Sequence, residues 1–206
     1  QMCIRDRIYS VSTQPFAITP YGEPFAISTL RDASFGDNTR SISFFPDSSF
    51  VIVFMSWDGD EDGVSARRFN ADGTPKDRAD IYINGQIAAN QTDCSALALE
   101  DGSFVVVWSS EFEGAPGELG TDANGHSIQL QIVNADGSAR FRDKRGNSEV
   151  TVNSYAFGHQ EVPNLAMGAA GKLLIIWEDG GFEDPSLPGD GSEGEVVGRF
   201  IDSRAV

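Results

Sequence analysis

The apolar stretch SFVVVW, residues 103–108, decides the fold of this chain because closely similar stretches occur at two other places. SFVIVF spans residues 49–54 and KLLIIW spans residues 172–177, so the last residues of the three stretches are 54 and then 69 positions apart. Each stretch is apolar on both faces of an extended strand, which is typical of a strand packed on each side. We therefore expect three copies of one unit, each built around a buried strand.

Three further segments recur in the same order around this strand. Upstream, PFAIST (residues 24–29) matches DIYING (80–85) and EVTVNS (149–154), and their alternating pattern predicts a half-buried strand. The next segment in the three copies is SISFFPD, CSALALED and PNLAMGAA, respectively. After the apolar stretch, the first two copies continue with RFNADG and IVNADG, which end in turn-forming residues. Four strands per unit, with no clear helix signals, predict an all-β, β-propeller-like fold of three four-stranded antiparallel blades.

The chain divides into a short start and one repeat domain. Residues 1–7, QMCIRDR, resemble translated adapter sequence and are interpreted as a non-native artefact, whereas residues 8–206 are predicted to form a single domain. Its repeats cover about residues 23–77, 78–143 and 144–206. Residues 9–18 fit the last strand of an earlier unit and are predicted to form an orphan strand. Because propellers have about 4–8 blades, three predict an incomplete ring, completed by the remaining blades of a parent chain or by further copies.

Composition limits the partners. The 31 acidic and 15 basic residues give a formal charge of −16. Such a field repels phosphate backbones and anionic lipids, so no nucleic-acid partner is expected, whereas cations and neutral polymers such as glycans stay open. No stretch approaches eighteen apolar residues, so we expect no membrane insertion. The two cysteines, Cys3 and Cys94, are interpreted as an incidental terminal thiol and a buried thiol.

The acidic residues are concentrated in the loop that follows each apolar stretch. These three insertions, residues 58–63, 109–126 and 178–195, hold 15 of the 31 acidic residues and no Lys or Arg. In an up-and-down blade this loop leaves on the same side as the loop after the first strand, which carries amides in FGDN, AANQ and FGHQ. The sequence therefore predicts one strongly acidic face lined with amides.

The first insertion, within WDGDEDG, is the strongest candidate metal site. Asp58, Asp60 and Asp62 alternate and then meet Gly63, as at the start of several calcium loops, where oxygen ligands lie on a flexible turn. The pattern is half complete, because the twelfth position, a Glu in calcium loops, is the strand residue Phe69. Two interpretations stay open: a solvated turn with cation affinity, or a calcium site with these three carboxylates as ligands.

Other candidate chemistry is sparse. Trp57 lies at the mouth of the acidic loop, where it can stack on a sugar, whereas Trp108 and Trp177 are expected in the core. His126 and His159 lie in different loops, and the sequence has no His/Cys cluster with zinc-ligand spacing, so neither a zinc site nor a histidine base is expected. Carboxylates abound in the insertions, but no pair stands out as that of a glycosidase, so no catalytic residue is assigned.

One order of segments resembles the repeats of large secreted bacterial proteins. It consists of DGSFVVVW, an acidic loop, a strand ending in NADG, and then VNS with a Gly-x-Gln turn. Those proteins are hemolysin-like or adhesin-like and are exported by the type I route, often with calcium-binding tails. The resemblance covers roughly residues 9–202 and implies a secreted or cell-surface location and calcium dependence. The nonapeptide array of the calcium-binding tails does not occur in this sequence.

We therefore expect a non-enzymatic repeat module, a structural or adhesive scaffold whose acidic loop face binds calcium and whose partner is a glycan or a surface protein. Two alternatives stay open. One is a glycan-active, glycosidase-like propeller enzyme that uses carboxylates of the acidic face. The other is a calcium-stabilised glycan-binding module.

Overall fold

The three apolar stretches fold as the central strands of three antiparallel sheets, as the repeat predicts. The structure is a computed structural model that describes residues 23–30, 32–34, 41–111, 125–142, 148–154, 158–180 and 194–202. Apart from one turn of 3-10 helix at Ala169–Gly171, the regular structure of these residues is all strand, which confirms the all-β class. Residues 1–7 and the predicted orphan strand at residues 9–18 lie outside the described residues.

The described residues form eleven strands in up-and-down order within each sheet. The first sheet contains β1 (Ile42–Phe44), β2 (Phe50–Trp57), β3 (Asp62–Phe69) and β4 (Ile81–Tyr82). The second contains β5 (Gln91–Ala98), β6 (Phe104–Ser110), β7 (Ser127–Val133) and β8 (Val150–Thr151). The third contains β9 (Gln160–Met167), β10 (Lys172–Asp179) and β11 (Glu195–Asp202).

The predicted four strands are therefore present in the first two sheets, and the third sheet has three strands among the residues that the structure describes. Within the same ranges, no helix is long and apolar enough to cross a membrane.

The sheets do not begin where the sequence repeats begin. The sequence pattern assigns DIYING to the start of the second repeat, yet Ile81–Tyr82 pairs with β3 and forms the last strand of the first sheet. Val150–Thr151 closes the second sheet in the same way, beside β7. The cause is local, because the chain that leaves β3 turns back at once and the backbone N–H of Lys76 donates to the Arg68 carbonyl at 2.9 Å. Each sequence repeat thus starts one strand earlier than the sheet.

β6 is buried on both faces, as its sequence predicts. Phe104, Val106 and Trp108 belong to the core shared with the first sheet, and all three are fully buried. Val105 and Val107, on the other face, belong to the core shared with the third sheet. The second sheet is therefore the middle layer of three stacked sheets.

Alternate residues of β2 and β10 complete these two cores. They are Val51, Val53 and Met55 in the first core and Leu173, Ile175 and Trp177 in the second. Trp108 and Trp177 are thus core residues, as expected, and Cys94 is a buried thiol.

The outer face of the first sheet is partly covered by residues 23–30. Phe25 lies against Phe69, with ring centroids 5.5 Å apart. Asp80 holds this segment in place, since one carboxylate oxygen accepts the backbone N–H of Thr29 at 2.8 Å and the hydroxyl of Ser28 at 2.9 Å. The first sheet is therefore apolar on both faces as well.

Replacing Trp108 with Ala is expected to lower the free energy of unfolding by about 3–5 kcal/mol, because the indole is fully buried between two sheets. Trp57 is the matched control: its side chain is 58% exposed, and Trp57→Ala should change this free energy by no more than about 0.5 kcal/mol. Urea denaturation followed by far-UV circular dichroism measures both. Equal effects of the two substitutions would contradict the stacking of the first two sheets.

Candidate functional site

One edge of the stacked sheets is formed by the loops after β2, β6 and β10 and by the segments that lead into β5 and β9. We call its described residues the acidic edge; they are residues 57–62, 86–90, 111, 125–126, 158–161, 178–180 and 194–195. Most of the second and third insertions, residues 112–124 and 181–193, lie outside the described part of the chain.

Hydrogen bonds run along the acidic edge from the first sheet to the second. The backbone N–H of Ala89 donates to Asp60 Oδ2 at 3.2 Å, which joins the first insertion to the segment before β5. The backbone N–H of Glu111, at the end of β6, donates to the Asn90 carbonyl at 2.9 Å. The two kinds of loop that the sequence places on the same side therefore touch.

The same connection continues to the third sheet. The backbone N–H of Gln160 donates to the His126 carbonyl at 3.3 Å, and the N–H of Gly180 donates to the His159 carbonyl at 2.8 Å. Loops of all three sheets thus form one hydrogen-bonded surface.

A buried asparagine supports this surface at the first junction between sheets. Asn84 Oδ1 accepts the backbone N–H of Val64 at 2.8 Å, and Asn84 Nδ2 donates to Asp58 Oδ2 at 2.6 Å and to Gln91 Oε1 at 2.9 Å. Asn84 and Gln91 are both buried. One amide therefore fixes β3, the acidic loop and the start of β5 together.

The second junction repeats the arrangement. Asn153 Oδ1 accepts the backbone N–H of Ile128 at 2.9 Å, and Asn153 Nδ2 donates to Gln160 Oε1 at 3.0 Å. Gln160 Nε2 in turn donates to Asp179 Oδ1 at 3.3 Å, and all three polar side chains are buried. Gln91 and Gln160, which the sequence predicts on the acidic face, lie beneath it and support its loops together with Asn84 and Asn153.

Asp58 and Asp60, two of the three aspartates of WDGDEDG, are held in different ways. Asp58 Oδ2 accepts a hydrogen bond from Asn84 Nδ2. The Asp58 side chain packs against Gly63 of β3, and a Cβ at position 63 would overlap it. Asp60 is exposed and bound to Ala89. Among the described residues, the ligand atoms of Asp58, Asp60 and Asp62 do not come together within 4.8 Å as a group of three. Calcium binding by Asp58, Asp60 and Asp62 stays a prediction.

Trp57 stands at the rim of the same loop. Its indole Nε1–H donates to the carbonyl of Asp60 at 3.3 Å, and more than half of the side chain is exposed. The hydrogen bond sets the orientation of the ring beside the exposed carboxylates. The sugar contact of Trp57 stays a prediction.

The group of metal-ligating side chains within 4.8 Å is His126, His159 and Glu161. The imidazole rings are in edge-to-face contact, with centroids 4.6 Å apart and an interplanar angle of 89°. His126 Nδ1 lies 2.8 Å and His159 Nδ1 lies 3.8 Å from Glu161 Oε1. The expectation that the chain has no histidine cluster was wrong, because the two loops are far apart in sequence but meet at the acidic edge.

A signal for this cluster was present in the sequence. His126 ends the second acidic insertion and His159 lies in the FGHQ loop, and the topology argument already places both kinds of loop on one side. Spacing rules for metal motifs missed the pair because they apply to ligands that are close in sequence.

A cleft of about 300 Å³ lies next to this cluster, at the end of the third sheet. His159 and Glu161 line it together with Glu178 and Glu195. Glu161 and Glu178 are directly opposite each other on neighbouring strands. Like charges in that position repel, so the cleft favours a bound cation.

Carboxylates at the opposite edge of the sheets serve turns. In each case a Ser or Thr hydroxyl two residues later donates to the carboxylate and holds its pKa below the usual value, assisted by the backbone N–H of the same residue. These aspartates are Asp47, Asp72, Asp101 and Asp136. Burial raises the pKa of Glu149, while the backbone N–H groups of Gly85 and Gln86 oppose that rise.

Asn84→Ala is expected to lower the free energy of unfolding by about 2 kcal/mol or more, because it leaves the buried N–H of Val64 and the buried Gln91 oxygen without this partner. Asn70→Ala is the control, since Asn70 is exposed and its amide bonds only Thr74 Oγ1 among the side chains described; it should change the free energy by about 0.5 kcal/mol or less. Urea denaturation measures both, and amide exchange at Val64 should accelerate in Asn84→Ala alone. Unchanged exchange at Val64 would be evidence against the asparagine support.

Similarity to known proteins is low. No protein-family model matches the chain, and a search of curated proteins gave no match. Among solved structures, the chain is similar to an endo-arabinase from Bacteroides thetaiotaomicron, with 16% sequence identity and a TM-score of 0.41. The match covers 78% of this chain and 54% of that chain, so this chain spans about half the length of the structure it matches.

Proposed function

We propose that this chain is part of a β-propeller that acts as a non-enzymatic binding scaffold, with the acidic edge as its recognition surface for cations and hydroxyl-rich ligands such as glycans. The observation that carries this proposal is the continuous hydrogen-bonded surface formed by loops of all three sheets and supported by buried amides. A rigid surface with exposed carboxylates and an exposed indole suits binding, since ligand contacts then need little ordering of the protein.

The path of the chain supports the propeller. Each sheet is traversed from its first strand to its last, and the chain then crosses to the first strand of the next sheet. Of these first strands, β5 packs on β1 and on β9. In a propeller, the first strands of the blades converge on a common axis in this way.

The outer face of the third sheet supports further blades. Ile176, Val196 and Phe200 are 40%, 74% and 68% exposed, and Phe200 lies opposite Leu174 on the neighbouring strand. An exposed apolar sheet face of this kind is typical of a surface that is covered by another sheet. We propose that a further blade of the parent chain packs here, as the second sheet packs on the first.

The ligand class follows from the side chains of the acidic edge. An indole such as Trp57 stacks on the apolar face of a sugar ring, and carboxylates such as Asp60 accept hydrogen bonds from its hydroxyl groups. Calcium, held by the aspartates of the same loop, would bridge acidic edge and ligand. The extracellular or cell-surface location, implied by the resemblance to secreted repeat proteins, stays a prediction.

The glycosidase-like alternative also has an observation in its favour, the cleft that brings Glu161, Glu178 and Glu195 together. A pair of carboxylates across a cleft is the arrangement that glycoside hydrolysis needs. If the chain hydrolyses glycosides, and both Glu161→Gln and Glu178→Gln abolish this activity, the chain is a glycosidase-like enzyme and the scaffold proposal is wrong.

A glycan array probed with the tag-free chain, with and without calcium, tests the proposal. We expect binding to at least one glycan, weakened at least about tenfold by Trp57→Ala because the stacking surface is removed. Tyr82→Ala is the matched control, since Tyr82 is an exposed aromatic residue away from the acidic edge, and it should bind as the original chain does. An array without signal in both conditions, or equal losses in the two variants, contradicts the proposal.

Calcium titration followed by thermal unfolding tests the metal part separately. Calcium at a hundred times its dissociation constant should stabilise the chain by about 2.7 kcal/mol. We expect Asp60→Asn with Asp62→Asn to abolish this effect, and Asp72→Asn with Asp136→Asn, at the opposite edge, to retain it. No shift of the melting temperature at millimolar calcium would show that the calcium prediction is wrong.

A further inference from the structure

We propose that His126, His159 and Glu161 form a binding site for a divalent transition-metal ion of the zinc type at the junction of the second and third sheets. The site uses other residues than the calcium prediction and does not depend on the proposed glycan binding. It rests on the arrangement of nitrogen and oxygen donors at this junction.

The donor atoms lie within the span of one metal ion. All three ligand atoms are within 4.8 Å of one another, and Glu161 Oε1 lies 2.8 Å from His126 Nδ1 and 3.8 Å from His159 Nδ1. Zinc binds imidazole nitrogen and carboxylate oxygen at about 2.0–2.2 Å in tetrahedral geometry, so two of its ligands are about 3.3–3.6 Å apart. Small side-chain rotations bring all three atoms to that distance.

The contact between His126 and Glu161 is not an ordinary hydrogen bond. His126 Nδ1 is shielded from solvent and makes no hydrogen bond to any described residue, although Glu161 Oε1 is 2.8 Å away. A buried imidazole nitrogen without a hydrogen bond is unfavourable. A metal ion bound to both atoms would give this nitrogen a partner.

Glu111 lies on the side of His126 where the outer partner of a metal-bound histidine belongs. The other ring nitrogen of His126, Nε2, faces Glu111 Oε1 at 3.8 Å. Asn90 Nδ2 holds the second oxygen of Glu111 at 3.0 Å. A carboxylate at Nε2 favours the proton there and leaves Nδ1 with a free lone pair for the metal.

The other junction has the same backbone but different donors. The buried amides match Gln91 with Gln160, so Asn90 and Thr92 are the counterparts of His159 and Glu161. Val64 and Ile128 match in the same way, so Asp62 is the counterpart of His126. The second junction thus has histidines in place of Asp62 and Asn90, and a glutamate in place of Thr92. All three changes occur at the same junction. A loop that only needed to be soluble would not require all three changes.

A bulge in β9 determines where Glu161 lies. A β-bulge shifts the register of β9 against β10 between Ile176 and Glu178. Val162, next to Glu161, has φ of 52°, which is strained for a β-branched residue. β5 has the same bulge between Thr92 and Ser95, and Asp93 has the same φ of 52°, so the bulge belongs to the repeat. The second junction differs in carrying Glu161 at this position instead of Thr92. The bulge also leaves Glu161 facing Glu178, whose repulsion a cation would relieve.

The donor set selects the type of ion. Two imidazoles and one carboxylate suit zinc and neighbouring transition metals, whereas calcium takes six to eight oxygen ligands. Three protein ligands leave a fourth position for water or a ligand atom. The adjacent cleft, lined by His159 and Glu178, gives a ligand access to this position.

The tag-free chain, treated with EDTA and then dialysed, is titrated with zinc chloride by calorimetry. We expect one zinc ion per chain, with affinity at least about tenfold weaker in His126→Ala, His159→Ala and Glu161→Gln, and weakened also in Glu111→Gln. Glu100→Gln, which removes an exposed carboxylate at the opposite edge of the sheets, is the control and should bind zinc as the original chain does. Calcium in millimolar excess should not displace the zinc.

Imidazole NMR signals provide the structural readout, because the chain contains two histidines. Both sets of signals should shift on addition of one equivalent of zinc. Thermal unfolding in EDTA shows which variants fold; if His126→Ala does not, His159→Ala and Glu161→Gln carry the test. Zinc binding of equal affinity in those variants would mean nonspecific binding to the acidic surface and would overturn the proposal, as would the absence of binding.

Discussion

The burial of both faces of β6 is the constraint on which the rest of the structure depends. A strand that is apolar on each side must be covered twice, so the second sheet needs a neighbour on either face. The first and third sheets provide this cover with alternate residues of β2 and β10. Stacking brings the ends of β2, β6 and β10 to the same side, and their loops must then share one edge.

Buried amides turn this shared edge into a fixed surface. Asn84 and Asn153 each accept a backbone N–H from one sheet and donate to a glutamine at the start of the next. Polar groups that are buried and fully paired restrict the structure strongly, because any other arrangement leaves them without partners. The acidic residues can therefore stay in water, at the ends of the strands, while their loops begin from a rigid base.

Equivalent support at the two junctions leaves the chemistry to a few side chains. The first junction places Asp62 and Asn90 where the second places His126 and His159, although the backbone hydrogen bonds correspond. A repeated scaffold thus provides matching positions, and the residues that occupy them decide whether oxygen or nitrogen donors meet. For this reason the fold alone does not indicate the function of either junction.

The sequence by itself determined the all-β class, the buried central strands and the acidic insertions, because alternation and turn chemistry are local properties of the chain. It misassigned Ile81–Tyr82, since the pattern that predicts a strand does not say which neighbour the strand pairs with. The calcium pattern of Asp58, Asp60 and Asp62 was visible because its members are close in sequence, whereas His126 and His159 come from loops of different repeats. Only the tertiary structure decided that these histidines meet, because the stacking of two sheets sets the distance between their loops.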